Sequence, residues 1–250
     1  MHNSLETKWK KQGMKYVPHY SGRDRKAKKI LSILHHFAGL DLSDRICLDI
    51  GCSAGEISEN MAAEFKMTVG MDIDQQAIER WNRPRGTKKL YYLLANGYNI
   101  PIPHDTIDIA ICAQVYEHVL DQPALAKEIW RVLRPGGICF FSGPNRFTIM
   151  EEHYWLPFLS WLPGPFSNLY MRAFKRGNKY DVYPLSYWQL RKLWVGFIMH
   201  DYTIHLIREP SKYAIEDEIK LQWLDKLPVG LLQAFTPLFP NYNWLLVKPR

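Results

Sequence analysis

The sequence predicts a doubly wound α/β domain, in which helices cover both faces of a mostly parallel sheet. Short apolar strands alternate with helical segments from residue 46 onward, a pattern typical of strand–helix–strand units. Residues 107–113 are almost continuously apolar, as expected of a strand that is buried on both faces. The turn at 51–55, after the first strand, contains two glycines, and folds of this class bind ligands at such turns.

The predicted elements follow one another regularly as far as residue 142. An amphipathic helix at about 22–38 comes first, because apolar residues recur at helical spacing after Ser21–Asp24, which resembles a capping box. The next strands and helices are predicted at 46–50, 57–65, 67–71, 75–82, 90–94, 107–113, 123–133 and 138–142. The segment 134–137 (RPGG) is a helix stop signal. After an aromatic, proline-rich stretch we predict a helix near 185–195, a strand near 197–207, a helical insert and a strand at about 243–248.

The chain of 250 residues contains no repeat, linker or low-complexity segment, so we predict one domain at 41–250 with inserts at 145–185 and 210–238. Residues 1–40 form a basic arm with the amphipathic helix. Nine basic and two acidic residues fall within 1–30, which accounts for the whole net charge of +7. Such an arm can attract anionic lipid, nucleic acid or an acidic substrate, or can be a solvated helix face.

Cysteine usage and the terminal residues indicate a cytoplasmic protein. The four cysteines lie in or beside apolar runs and are interpreted as small buried hydrophobic residues in a reducing compartment: Cys47, Cys52, Cys112 and Cys139. The N-terminal residues lack the apolar region of a secretory signal. The apolar stretch 154–166 contains three prolines and is too short to span a bilayer. Peripheral membrane contact through the basic arm stays open.

The segment 48–55 (LDIGCSAG) is the most informative part of the chain for function. Its G-x-x-x-G spacing differs from the G-x-G-x-x-G of dinucleotide sites, and a tight turn without a ligand is the alternative interpretation. About 20 residues later, Asp72 ends the next predicted strand, where a carboxylate can accept hydrogen bonds from both ribose hydroxyls of a nucleoside. A polar turn also follows the third strand, so three ligand-binding turns are expected at one sheet edge.

Five motifs in family order resemble the class I S-adenosylmethionine (SAM)-dependent methyltransferases, and in particular the branch that includes ubiquinone and menaquinone biosynthesis methyltransferases. The motifs lie at 49–55, 70–74, 99–108, 116–119 and 133–137. The resemblance covers about residues 44–145. It implies SAM as the cofactor and a seven-stranded sheet whose last strand is antiparallel.

The resemblance also implies a role for individual residues. The methionyl part of SAM would be held by Asp49, Gly51, Cys52, Ser53 and Gly55. The ribose would be bound by Asp72, the adenine bordered by Ile73, Asn96 and Gly97, and the sulfonium end approached by Ala113 and Gln114. Asn96 departs from the family, which often has Asp there, but an amide oxygen can still accept a hydrogen bond from the adenine amino group.

His118 is the candidate general base, because it follows the fourth strand at the ligand edge and a histidine can titrate near neutral pH. Glu117 and His153 are further acid–base candidates; alternatively, residues 117–119 only shape the loop. In the ubiquinone-type enzymes a Glu-x-x-Glu-His run is associated with a divalent metal. Gln114 replaces the first Glu here and weakens a site for a hard cation, so we expect no required metal.

The segments at 151–166 and 227–239 are heavily apolar and predict a cover over a lipophilic or aromatic acceptor, such as a lipid or a quinone-like molecule. The alternative is an auxiliary helical subdomain. The function predicted is methyl transfer from SAM to this acceptor, with oxygen favoured. A non-catalytic SAM-binding or membrane-associated protein is the alternative. A nicotinamide-dependent oxidoreductase is disfavoured by the glycine spacing, and nucleic-acid methylation by the clustering of basic residues in one arm.

Overall fold

The computed structural model describes residues 20–39, 41–53, 55–81, 89–215 and 222–250. The basic arm as far as residue 19 and the predicted helix end at residue 82 lie outside these ranges, as does part of the insert predicted at 210–238.

A seven-stranded sheet forms the centre of the domain. Its strands are β1 (Ile46–Ile50), β2 (Met67–Asp72), β3 (Leu90–Leu94), β4 (Ile107–Ala113), β5 (Leu133–Pro144), β8 (Ile198–Asp201) and β9 (Asn241–Val247), in the order β3-β2-β1-β4-β5-β9-β8. The first five strands pair in parallel, whereas β9 is antiparallel to both β5 and β8. This confirms the predicted doubly wound sheet with an antiparallel last strand. A separate hairpin pairs β6 (Met150–Glu151) with β7 (Leu156–Pro157).

Helices and helical turns cover the sheet. The α-helices are α1 (Tyr20–Ala38), α2 (Glu56–Glu64), α3 (Gln75–Trp81), α4 (Gln122–Val132), α5 (Gly164–Ala173), α6 (Tyr187–Leu193), α7 (Thr203–Arg208) and α8 (Val229–Phe235). Single 3₁₀ turns occur at Tyr116–His118, Leu159–Trp161, Pro210–Tyr213, Gln222–Lys226 and Thr236–Leu238. No helix within the described ranges is long and apolar enough to cross a membrane.

Two strand predictions need correction. The strand predicted near 197–207 ends at Asp201, because the Asp201 carboxylate accepts a hydrogen bond from the Thr203 amide at 2.8 Å and starts the helical turn of α7. Strand β5 begins at Leu133 rather than Ile138, so 134–137 continues a strand instead of only ending a helix. The pairing of β4 with β5 shifts register between Ile107 and Ile109, which accommodates the extra residues of β5. Gly136, in this added part of the strand, has a φ of +77°.

The start of α1 also differs from the prediction. The helix includes Tyr20, so Ser21 lies within the helix rather than at its cap. The predicted apolar face of α1 nonetheless packs on the sheet, with Ile30 and Leu34 fully buried.

Strand β4 separates two apolar cores because alternate residues of a strand point to opposite faces. Ala110 and Cys112 belong to the core under α4 and α6, whereas Ile109 and Ile111 belong to the core under α1 and α2. All four cysteines are buried free thiols. A third, smaller core lies within the insert after β5: Tyr154, Leu156, Leu159, Met171 and Val182. The sheet is therefore packed against apolar side chains on both faces, which supports the strand ends at its carboxyl edge.

Candidate active site

The glycine turn after β1 is fixed to the neighbouring strand by its backbone. The amides of Gly51 and Cys52 both donate to the Met71 carbonyl, at 2.8 and 3.0 Å. Gly51 and Gly55 have φ values of +71° and +73°, which side chains rarely tolerate. A Cβ at Gly55 would lie 2.5 Å from the Tyr92 hydroxyl oxygen. The turn therefore requires glycine both for its backbone conformation and for the space that it leaves.

The Asp72 carboxylate connects the ends of β1 and β2. One oxygen accepts a hydrogen bond from the Ser53 amide at 2.8 Å, and the other accepts one from the Asp74 amide at 2.9 Å. Each carboxylate oxygen has a second lone pair, which stays available to hydroxyl donors of a ligand. Asp72 thus both shapes the glycine turn and presents a polar surface beside it.

Asp49 is a buried acid beneath the same turn. The Ser58 hydroxyl donates to its carboxylate at 2.6 Å. Burial raises the pKa of Asp49 to about 7, although the Ser58 hydrogen bond acts in the opposite direction. A carboxyl group in this state gains most from a cationic ligand, because a positive charge nearby would compensate for the lost hydration of the carboxylate. Burial also raises the pKa of the Cys52 thiol, so Cys52 contributes to the turn as a neutral residue.

The predicted adenine-side residues lie at the ends of β2 and β3. The Ile73 side chain is exposed and apolar, as a platform for a base would be. The Asn96 amide oxygen accepts a hydrogen bond from the Tyr98 amide at 3.0 Å, so this side chain also shapes its own turn. A Cβ on Gly97 would lie 2.9 Å from Leu125, which explains the glycine.

At the end of β4, Gln114 adopts a φ of +60°, and its amide donates to the Ser142 carbonyl at 2.8 Å. Its side chain amide is 3.4 Å from the Ser142 hydroxyl, so the side chain is directed toward β5. Ala113 precedes it as the last residue of β4. Val115 follows and lies over the glycine turn, since a Cβ on Gly51 would be 2.7 Å from the valine methyl carbon. All the predicted cofactor residues therefore end up along the carboxyl edge of β1, β2, β3 and β4.

Two residues near the glycine turn were not among the sequence candidates. Arg23 of α1 forms an ion pair with Glu56 at 3.1 Å and lies 3.5 Å from the Ser53 hydroxyl. Tyr92 of β3 places its hydroxyl under Gly55. The basic face of α1 was visible in the sequence, but the residue that reaches the turn could not be selected without the packing of α1. The Tyr92 position follows from the register of β3 on β2, which the sequence does not specify.

A second polar cluster follows β4 and joins it to the insert. Glu117 is fully buried, and neither of its carboxylate oxygens has a hydrogen-bond partner in the described structure. Burial raises the pKa of Glu117 to about 7. The rings of His118 and His153 meet edge to face, with centroids 4.9 Å apart. Burial lowers the pKa of His118 to about 4, so this histidine is neutral at pH 7. The three predicted acid–base residues are thus neighbours.

His153 is held by an acid from its own hairpin. Its Nδ1 atom lies 2.7 Å from one Glu151 carboxylate oxygen, and the other Glu151 oxygen accepts a hydrogen bond from the Tyr154 amide at 2.7 Å. Burial lowers the pKa of His153, but the hydrogen bond and charge of Glu151 outweigh burial, and the net shift is upward. With a proton on Nδ1 shared with Glu151, the neutral imidazole presents Nε2 as an acceptor.

The expectation that no metal is required stays a prediction. The Gln114 side-chain amide lies 3.4 Å from the Ser142 hydroxyl. However, Glu117, His118 and His153 each offer one potential ligand atom, and these atoms lie within 4.8 Å of one another. A set with two imidazoles suits a transition metal better than magnesium. His153 thus supplies a third potential ligand that the run at 114–118 does not contain.

The insert after β5 is a packed unit with large apolar side chains on its outside. Its small core holds the hairpin that carries His153. Asn145 anchors the base of the insert, because its side-chain amide donates to the carbonyls of Pro237 and Phe239, both at 2.9 Å. The second apolar stretch, 227–239, also lines a separate cavity of about 980 Å³ with Arg191, His205 and Arg208. The insert is therefore both a subdomain and the neighbour of the polar cluster.

Part of the chain, including the carboxyl ends of β1 to β4, is similar to known proteins. The family described as "Methyltransferase domain" matches residues 48–141. A probable S-adenosylmethionine-dependent methyltransferase of Mycolicibacterium smegmatis is 32% identical over 118 residues, which cover 46% of this chain and 42% of that protein. A ubiquinone biosynthesis O-methyltransferase of Aromatoleum aromaticum is 32% identical over 127 residues, covering 47% and 54%. The chain thus spans about half the length of the curated relatives that it matches.

Among solved structures, Haemonchus contortus phosphoethanolamine N-methyltransferase 2, in complex with phosphomonomethylethanolamine and S-adenosylhomocysteine, has a TM-score of 0.54 and 20% identity. The match covers 88% of this chain and 52% of that one. At this identity the likeness concerns the fold alone.

Proposed function

We propose that this chain, whose residues 48–141 match the family described as "Methyltransferase domain", transfers the methyl group of SAM to a small lipophilic or aromatic acceptor. Oxygen is the favoured acceptor atom. One observation carries the proposal: the turns after β1 and β2 are linked at the carboxyl edge of the sheet. The Asp72 carboxylate accepts a hydrogen bond from the Ser53 amide of the glycine turn at 2.8 Å.

The cofactor side follows from the residues at this edge. Asp72 has lone pairs for the two ribose hydroxyls, and the exposed Ile73 side chain offers an apolar surface to the adenine. Asp49, a buried acid, would hold the methionyl ammonium group, whose positive charge would stabilise the carboxylate. Gly51 and Gly55 would let the methionyl part come close to the backbone.

When bound, SAM supplies a methyl group on a sulfonium, which is already a good leaving group. The residues of the chain therefore need to align the acceptor, exclude water and take one proton from a hydroxyl. We assign the proton transfer to His153, because Glu151 orients its ring and stabilises its protonated form. His118 is neutral and packs against that ring, which limits its movement.

The Glu151–His153 contact gives a testable pKa. In Glu151→Gln we expect the pKa of His153 to fall below its wild-type value, because the hydrogen bond and charge that raise it are replaced by a neutral amide. Nuclear magnetic resonance titration of the histidine ring nitrogens measures this shift. The matched control is Glu152→Gln, which removes an exposed charge one residue away and should lower the pKa less. Equal shifts in the two variants would show that Glu151 has no special role.

Asp49 gives a prediction for the pH dependence of cofactor binding. The raised pKa means that Asp49 takes up a proton as the pH falls through about 7, and binding of a cation must then displace this proton. We expect the affinity for SAM to fall by up to about tenfold per pH unit below that point, because one proton is released on binding. Calorimetric titration between pH 5 and pH 8 measures the slope. Asp49→Asn should bind SAM more weakly at high pH and without this slope; an unchanged slope would exclude Asp49 as the titrating group.

The activity itself is tested by incubating the protein with SAM and a panel of catechols, phenolic lipids and hydroxyquinones. Formation of S-adenosylhomocysteine together with a methylated product of the matching mass is the expected result. His153→Asn should then lower the rate by about 10²–10⁴-fold, the usual contribution of a general base. SAM binding without turnover on any acceptor would favour the non-catalytic alternative, and turnover that His153→Asn leaves unchanged would remove His153 from the mechanism.

A further inference from the structure

The insert after β5 has an unusual charge distribution. No aspartate or glutamate occurs from residue 153 to residue 180, whereas the chain as a whole has 25 acidic residues in 250. The same segment carries four basic residues close together and all exposed: Arg172, Lys175, Arg176 and Lys179. The outside of the insert is therefore a positively charged surface, formed by residues distant in sequence from the basic arm.

Helix α5 adds an apolar face to this charge. Its inner side is buried through Ser167 and Met171. Its outer side exposes Phe166, Leu169 and, at the end of the helix, Phe174, which are 63%, 59% and 58% accessible to solvent. Large apolar side chains exposed singly are ordinary, but two on one short helix and a third at its C-cap, in the same segment as four exposed basic residues, give this segment an amphipathic character.

The turns before α5 present further aromatic side chains. Trp155 is 64% exposed, and Phe158 and Trp161 are also exposed, with the rings of the last two 5.3 Å apart. Trp155 and Phe158 have φ values of +53° and +57°. The left-handed conformation is unfavourable for bulky residues, so the chain accepts backbone strain at the two positions that display these rings. The 3₁₀ turn at Leu159–Trp161 packs beside α5, which places both groups on one unit. We name this outer side of the insert the aromatic–basic surface, defined by Trp155, Phe158, Trp161, Phe166, Leu169, Phe174 and the four basic residues.

We infer that the aromatic–basic surface binds the headgroup region of a bilayer that contains anionic lipids. Aromatic rings are stabilised at the boundary between headgroups and acyl chains, and lysine and arginine are attracted by the negative surface potential. Charge complementarity selects this occupant over a second copy of the chain, since a symmetric contact would place the two basic clusters against each other. The binding adds to the proposed methyl transfer and does not depend on it, although the hairpin that carries His153 belongs to the same insert and would lie close to the bilayer.

The test is sedimentation of the full chain with vesicles, without SAM or acceptor. Vesicles of phosphatidylcholine with 30% phosphatidylglycerol should retain the protein, vesicles of phosphatidylcholine alone should retain much less, and 0.5 M salt should release it. The double variant Lys175→Glu/Arg176→Glu should lower the partition coefficient by about tenfold or more, because each basic residue near the surface contributes attraction. Phe166→Ser/Leu169→Ser/Phe174→Ser should reduce binding to both vesicle types.

Matched controls distinguish this surface from the basic arm and from apolar side chains exposed elsewhere. Trp188→Ser/Val195→Ser removes two such apolar side chains and should leave vesicle binding unchanged. Lys10→Glu/Lys11→Glu reverses two charges in the basic arm.

Loss of binding in the arm variant, with the insert variants unaffected, would overturn the proposal, and so would equal binding to neutral and anionic vesicles. Concentration-dependent dimers that disappear in the Phe166→Ser/Leu169→Ser/Phe174→Ser variant would instead identify a second copy as the occupant. Circular dichroism and a thermal unfolding midpoint close to that of wild type establish that each variant is folded.

Discussion

Asp72→Ala is expected to weaken SAM binding by at least about 100-fold. If the Asp72 carboxylate accepts hydrogen bonds from both ribose hydroxyls, the variant complex lacks two charge-assisted hydrogen bonds, each worth about 1.5–3 kcal/mol. A loss of about 1.4 kcal/mol in binding free energy corresponds to a tenfold weaker affinity. The same substitution frees the Ser53 amide, which the Asp72 carboxylate now holds at 2.8 Å, so the glycine turn also loses a support. Calorimetric titration with SAM measures the effect directly.

Asp74→Asn is the matched control for this prediction. The substitution removes a negative charge two residues from Asp72. It keeps a side-chain oxygen that can accept a hydrogen bond from the Gln76 amide, as the Asp74 carboxylate does in wild type at 2.9 Å. We expect its affinity for SAM to stay within about threefold of wild type, since its charge is exposed and screened by water. Equal losses in the two variants would indicate a general charge effect, and wild-type affinity in Asp72→Ala would remove Asp72 from the ribose site.

Gly55→Ala is expected to lower the affinity for SAM by about 10- to 100-fold. A left-handed backbone costs a residue with a Cβ about 1–2 kcal/mol, and Gly55 has a φ of +73°. In addition, the new Cβ would lie 2.5 Å from the Tyr92 hydroxyl oxygen, so the turn or the tyrosine has to move. We propose that this turn holds the methionyl part of SAM, so a shift of its backbone should weaken binding. Thermal unfolding and titration with SAM separate the loss of stability from the loss of binding.

Two further variants divide the effect of Gly55→Ala into its causes. Gly55→Ala/Tyr92→Phe removes the nearest atom but keeps the backbone strain, so it should recover part of the affinity. Gly230→Ala adds a methyl group within α8, where no atom lies within 4 Å, and should bind SAM like wild type. If Gly55→Ala itself bound SAM like wild type, the glycine turn would not be the methionyl site.

The residues that meet at the carboxyl edge of the sheet could be predicted because strand boundaries and turns are encoded by short stretches of sequence. Strands β1, β3 and β4 begin and end at the predicted residues, since short apolar runs bounded by polar turns leave little choice of boundary. In a parallel sheet the ends of these strands meet at one edge, so the turn residues are brought together by topology alone. The proximity of residues about 20 positions apart, such as Ser53 and Asp72, could therefore be predicted without knowing how the side chains pack.

The acceptor side was harder to predict because its contacts are not local. His153 and His118 are 35 positions apart, and only the β6–β7 hairpin of the insert brings their rings together. Arg23 reaches Glu56 from a helix whose rotation on the sheet depends on packing. The wrong end of the strand predicted near 197–207 has a similar cause: one side-chain hydrogen bond, from the Thr203 amide to Asp201, outweighed an apolar pattern that was compatible with a strand.

The central claim, that the carboxyl edge of β1 and β2 binds SAM, is tested most directly by calorimetric titration of the wild-type chain with SAM, S-adenosylhomocysteine and NADH. We predict one site with a dissociation constant in the micromolar range, about −8 kcal/mol, for SAM and its demethylated product, and no heat from NADH. A folded protein that binds neither SAM nor S-adenosylhomocysteine, or that binds NADH instead, would contradict the assignment.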